Sequence, residues 1–195
     1  MGVAEKIDQR IPLEVYWELE AQSDIKHEYL RGEVVAMAGA SVTHNIIVAN
    51  FLRGLGNKIL DKDCTIMASD VKVAIQSSKS FFYPDASVVC GAFEFHEDRK
   101  DTITNPKLIM EVLSDSTEAF DRGEKFALYR TLESLQEYAL IAQNTTRVDV
   151  YSKKGDKVWH MRSYEENEEP INLESLNLSI DLTEIYHKVS FETPS

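Results

Sequence analysis

The feature that most constrains this chain is an acid in an apolar place. Glu111 sits inside the run Leu108-Ile109-Met110-Glu111-Val112-Leu113, whose other members are all apolar. A short run of this kind reads as a strand buried on both faces. A carboxylate there is costly unless it is paired, hydrogen-bonded or bound to a cation. A second compact run, Ala86-Ser87-Val88-Val89-Cys90, reads the same way and opens directly after Pro84-Asp85. If the two strands are neighbours, Asp85 and Glu111 can face one cation. Hard oxygen donors with few protein carboxylates suit Mg²⁺ or Mn²⁺, which keep waters for a phosphate. Lys125, on the helix expected after the Glu111 strand, could then stabilise negative charge beside that ion.

Plainer readings exist for the same residues. A strand-end Asp is commonly a turn former. Glu111 can pair with Lys125 or Arg122 as a buried ion pair. Asp121, Lys125 and Tyr129 recur at four-residue spacing, so they share a helix face on which a surface ion pair is possible.

The rest of the chain supplies the frame. Pro12 opens a helix ending near Ala21, and residues 25–30 and 33–38 flank Arg31-Gly32 as a hairpin. Ser41 or Thr43 caps a long helix carrying Ile47, Phe51, Leu55 and Ile59, weakened in the middle by Gly54 and Gly56. Residues 64–68, 71–75, 137–142, 148–151 and 158–163 read as further strands. Residues 76–80 read as a turn, and residues 94–105 as a mixed-charge loop holding His96, Glu97 and Asp98. Asp115 with Glu118 resembles a capping box at the start of a helix running to about Leu132. Residues 165–169 read as a solvated loop, and 179–188 end in a short helix. Lys72 reads either as a phosphate contact or as the polar face of a half-exposed strand. Two-faced apolar strands flanked by helices give an α/β class with a mixed sheet.

Charge and cysteines narrow the function. Lys and Arg number 21 against 33 Asp and Glu, a net charge of −12. That disfavours a passive nucleic-acid coat, whose affinity is largely electrostatic. It leaves room for an enzyme whose carboxylates hold a divalent cation against a phosphate. No apolar run approaches the roughly 18 residues of a membrane span, and the first ten residues lack a secretory pattern. Cys64 and Cys90 form neither a CxxC pair nor a disulfide framework, so the expected setting is a reducing cytoplasm. The histidines show no zinc-type spacing.

The ordered motifs resemble those of the restriction-endonuclease-like family common in cyanobacteria, part of the PD-(D/E)XK nuclease superfamily. They are Glu28-Tyr29-Leu30-Arg31-Gly32-Glu33, His44-Asn45, Tyr83-Pro84-Asp85-Ala86-Ser87-Val88-Val89, Glu111-Val112-Leu113-Ser114-Asp115-Ser116-Thr117, Asp121…Lys125…Tyr129 and Ser134-Leu135-Gln136-Glu137-Tyr138. The likeness covers about residues 12–151. It implies a restriction-endonuclease-like mixed sheet flanked by helices, with an N-terminal helix and hairpin, as one domain over residues 1–195. It also implies a Mg²⁺- or Mn²⁺-dependent endonuclease cutting DNA; a homodimer is compatible with that, since duplex cutting often uses two active sites. Asp85 and Glu111 match the metal-binding acids, and Glu28 matches an upstream acid that approaches the metal-bound water. The family's acid-x-Lys places its lysine at position 113, where this chain has Leu113. Lys125 is the substitute, reaching back from the next helix. His44 reads as a phosphate or water contact, or as a polar group satisfying the helix start. The alternatives are a non-catalytic oligomeric interaction module on the same fold, and a phosphodiesterase acting on RNA or nucleotides.

Overall fold

The computed structural model describes residues 6–7, 10–166 and 169–191. The chain runs through β1 (Lys6–Ile7), α1 (Leu13–Gln22), β2 (His27–Leu30), β3 (Glu33–Ala36) and α2 (Val42–Lys58). Next come β4 (Cys64–Ala68), β5 (Lys72–Ile75), β6 (Ser80–Phe82), β7 (Ala86–Cys90), β8 (Phe95–His96), β9 (Arg99–Ile103) and β10 (Leu108–Leu113). A helical segment follows, made of α3 (Glu118–Phe120), a π turn (Asp121–Lys125) and α4 (Phe126–Tyr129). The remainder is β11 (Glu137–Ala142), β12 (Arg147–Lys153), β13 (Trp159–Glu165), β14 (Ile171–Leu173), β15 (Leu178–Ile180) and α5 (Leu182–Ile185).

Two sheets organise these elements. One has the order β1-β3-β2-β6-β5-β9-β8, the other β13-β12-β11-β10-β7-β4, and β14 pairs with β15 separately. In the second sheet β10 and β11 are parallel and the remaining pairs antiparallel. The apolar runs predict one mixed sheet; the structure has two, and both are mixed. α2 covers one face of the second sheet, burying Ile47, Phe51 and Leu55 against Ala86, Val88, Met110 and Val112. On the opposite face Ile109, Leu113, Tyr138 and Leu140 meet Phe126, Leu128 and Tyr129 of the helical segment and Val73, Ile75 and Phe82 of the first sheet. Side chains alternate along a strand, so Glu111 points to this second face with Ile109 and Leu113. α1 closes the first sheet through Tyr16, packed with Tyr29, Val34 and Phe81.

The chain changes sheets at one decisive place. β6 belongs to the first sheet and β7 to the second, and Tyr83-Pro84-Asp85 makes the crossing. Pro84 has no N–H to continue a ladder. Asp85 therefore starts a new sheet at the junction of both.

Several expectations need correction. Residues 94–105 are not a plain loop: β8 and β9 form an edge hairpin, with β9 parallel to β5. Backbone pairing at the sheet edge holds these polar residues, so no hydrophobic alternation announces them. His96 lies against Phe81, ring centroids 5.0 Å apart, rather than in solvated loop. Phe81 and Phe82 extend the predicted turn into β6. The Asp115–Glu118 capping box does not form; Thr117 precedes the helix without a side-chain cap. Lys72 is neither exposed nor free: it is 2.9 Å from Asp101 and 3.6 Å from Glu20. Cys64 and Cys90 are disulfide-bonded, because the β4–β7 register sets them directly opposite one another. No described helix is long and apolar enough to cross a membrane.

The two glycines of α2 differ in their surroundings. A Cβ at Gly54 would lie 2.8 Å from Ile180 Cδ1, whereas one at Gly56 meets only Ile66 Cγ2 at 3.8 Å. Gly56→Ala therefore gains helix propensity, about 0.5–1 kcal/mol. Gly54→Ala offsets that gain by overpacking and loses up to about 1 kcal/mol net. Urea denaturation of the two variants checks the opposite signs.

Candidate active site

Four elements converge on one cluster of charged side chains. Register brings Met110 opposite Ala86, so one step further Glu111 lies beside Asp85. The two are laced together: Val112 N–H donates to Asp85 Oδ2 at 2.7 Å, and Asp85 N–H to Glu111 Oε2 at 3.4 Å. From above, Lys125 Nζ sits 2.8 Å from Glu111 Oε1, 3.1 Å from Glu28 Oε1 and 3.6 Å from Asp121 Oδ1. Tyr129 donates its hydroxyl to Glu111 Oε1 at 3.3 Å. Glu28 comes from β2 of the first sheet and accepts from Tyr83 N–H at 3.2 Å. The two oxygens of Glu111 thus have separate partners: Oε1 faces Lys125 and Tyr129, and Oε2 faces Asp85.

His44 completes the rim. Ser41 caps α2 by accepting from His44 N–H at 3.0 Å, which fixes the first turn. From there His44 Nε2 lies 2.9 Å from Asp85 Oδ1.

The electrostatics are lopsided. Glu28, Asp85, Glu111 and Asp121 are four carboxylates around one lysine, with Glu111 and Lys125 only 4% and 5% exposed. Burial pushes the Glu111 carboxyl well above the usual range; Lys125 pulls it down, but Asp121, Asp85 and Glu28 push it further up. Burial acts to lower the Lys125 amine, yet Glu111, Glu28, Tyr129 and Asp121 outweigh it and hold the ammonium. The pocket carries more negative charge than its protein cations neutralise.

That excess and the donor chemistry fit a divalent cation. The available atoms are carboxylate oxygens, hard donors of the kind Mg²⁺ and Mn²⁺ take. Among the described residues no three His, Cys, Asp or Glu groups close into a ready-made metal cage. Mg²⁺ and Mn²⁺ do not need one, because they retain several waters.

Asp85, Glu111, Lys125 and Glu28, singled out from the sequence, all meet in this cluster. Asp121 and Tyr129 share a helix face for which a surface ion pair was one reading; both are buried, Asp121 facing Lys125 and Tyr129 facing Glu111. Their four-residue spacing was visible, but spacing alone does not say whether a polar face turns outward or inward. Leu113 packs in the apolar layer, so no strand lysine approaches the acids.

The raised Glu111 carboxyl has a pH consequence. A group with an elevated folded-state pKa stabilises the fold below its unfolded value, and that contribution is lost as pH rises through the folded value. Glu111→Gln mimics the protonated acid. In the metal-free protein it should leave the melting temperature unchanged near pH 4 and raise it by a few degrees at about pH 8. Thermal melts across that range check it; a flat difference removes the burial argument.

Comparison with known proteins gives the chain a family and its fold a solved counterpart. Residues 13–183 match the model of the Uma2 family, described as "Putative restriction endonuclease". Two Synechocystis proteins are similar. "Uncharacterized protein sll1609" is 42% identical over 144 residues, spanning 74% of this chain and 81% of its own. "Uncharacterized protein slr1290" is 37% identical over 180 residues, spanning 91% and 92%. The fold also resembles a crystal structure of a "putative nuclease belonging to DUF820" from Anabaena variabilis, with a TM-score of 0.74 over 90% of this chain and 97% of that one, at 14% identity. The fold is therefore shared with that solved structure, and the chain belongs to the Uma2 family, whose model carries the description "Putative restriction endonuclease".

Proposed function

We propose that this protein is a divalent-metal-dependent nuclease that hydrolyses phosphodiester bonds in DNA. One observation carries the reading: Asp85 and Glu111 are cross-strand neighbours, and the Lys125 ammonium sits on Glu111 in the same cluster. Asp85 and Glu111 Oε2 would hold the cation, Mg²⁺ or Mn²⁺. When bound, it supplies positive charge for the phosphate oxygens and acidifies water.

The chain's own groups do the rest. Val112 N–H and His44 hold the two oxygens of Asp85, so its carboxylate is fixed in place. Lys125 is buried and its surrounding acids hold it as a cation, so its charge acts on a developing phosphorane more strongly than in water. Glu28 shares Lys125 with Glu111 and is the more exposed of the lysine's acid partners, 15% against 6% for Glu111 and Asp121, so it is the one placed to orient water. The neighbouring acids explain how a chain of net charge −12 would engage a polyanion: the first partner is a cation. A homodimer, presenting two such sites to one duplex, belongs to the same reading.

Purified protein should cleave plasmid DNA with Mg²⁺ or Mn²⁺. Asp85→Asn and Lys125→Ala should each lower the rate by about a hundredfold or more. Calorimetry should show Mn²⁺ binding lost in Asp85→Asn and retained in Lys125→Ala. A wild-type protein that binds no divalent ion and cuts no DNA overturns the proposal. Cleavage of RNA or nucleotides alone keeps the metal site and removes DNA as substrate.

A further inference from the structure

The helical segment over the site is not uniform. Asp121–Lys125 forms a π turn between two short α-helical stretches. A π turn carries one extra residue and is frequent at functional sites, where the surroundings hold the irregularity in place. Two groups on the sheet hold this one. Tyr138 of β11 donates its hydroxyl to the Asp121 carbonyl at 3.1 Å, reaching into the widened ladder. Arg122, the next residue, lies 2.6 Å from buried Asp149 of β12. Tyr138 has no solvent exposure, and its ring stacks on Phe126 with centroids 5.3 Å apart, so the hydroxyl has a fixed place.

The π turn decides where Lys125 points. Asp121 opens the turn and Lys125 ends it; both side chains are buried, Lys125 against Glu111 and Glu28 and Asp121 against Lys125. Each α-helical residue advances the helix by about 100°. Returning the segment to uniform α-helix shifts the register by one residue and swings position 125 away from the acids by that angle. We infer that the Tyr138 hydroxyl, by holding the π turn open at Asp121, sets the Lys125 amine over Glu111. Tyr138 is thus a positioning residue for the site's lysine. Its consequence for catalysis rests on the nuclease reading; its geometry does not.

Lysine acylation by a water-soluble N-hydroxysuccinimide ester, followed site by site by mass spectrometry without metal or nucleic acid, tests the geometry. Lys72 is the internal control, because its side chain is as buried as that of Lys125, 6% in each, within a separate ion-paired cluster. Tyr138→Phe should speed Lys125 labelling by about fivefold or more and leave Lys72 unchanged. Deleting Gly123, where the chain has open space, removes the extra residue and should give the same pattern. In that deletion background Tyr138→Phe should add nothing. Lys125 staying protected in both variants, or Lys72 and Lys125 becoming reactive together, overturns the inference. In wild-type protein that cleaves DNA, Tyr138→Phe should lower kcat by about tenfold with KM and Mn²⁺ affinity unchanged. A rise in KM alone refutes the catalytic consequence while the labelling result still stands or falls on its own.

Discussion

Buried negative charge held by a single ammonium is the constraint around which this molecule is arranged. Removing the one cation of such a cluster typically costs several kcal/mol, because the buried acids are left uncompensated. Here the charged groups arrive from four places in the fold: Glu28 on β2, Asp85 at the sheet crossing, Glu111 on β10, and Asp121 with Lys125 on the helical segment. The two sheets and the helical segment must all be in place before the charges can meet. The site is therefore a product of the whole fold.

The crossing at Tyr83-Pro84-Asp85 shows how the layers cooperate. Tyr83 donates its hydroxyl to Glu20 Oε2 of α1 at 2.6 Å, and Glu20 Oε1 accepts His27 N–H at 2.8 Å. Tyr83 N–H goes to Glu28. α1, β2 and the start of β7 are thus tied by one residue that sits two places before the metal-binding candidate. The N-terminal helix and hairpin are supports for Asp85 and Glu28, although they lie in the other sheet.

Much of this was legible in the sequence, and what was not has physical reasons. The buried acid at Glu111, the strands of residues 86–90 and 108–113, and the N-terminal helix and hairpin follow from local periodicity and punctuation. The meeting of Asp85 with Glu111 needs strand register, which motif order suggested and the β7–β10 pairing displays. The β8–β9 hairpin was invisible because a polar edge strand is held by backbone bonds and carries no side-chain pattern. The Cys64–Cys90 bond was invisible because pairing depends on register, not on distance along the chain. The π turn was invisible because one inserted residue leaves the four-residue spacing of Asp121, Lys125 and Tyr129 intact to the eye.

The missing strand lysine and the π turn are two aspects of one solution. A lysine at position 113 would share the face of Glu111 through the simple alternation of a strand. Leucine there joins the apolar layer with Ile109, Leu140 and Phe126, which gains packing and gives up the amine. The ammonium must then come from the segment above. A regular α-helix also has to offer Leu128 and Phe126 to that same layer, and its angular positions are fixed by 3.6 residues per turn. The extra residue between Asp121 and Lys125 breaks that conflict, turning the charged pair toward the acids and leaving the apolar residues of α4 on the core. An amine is defined for the site by its place in space, and a helix reaches that place only by departing from regular geometry.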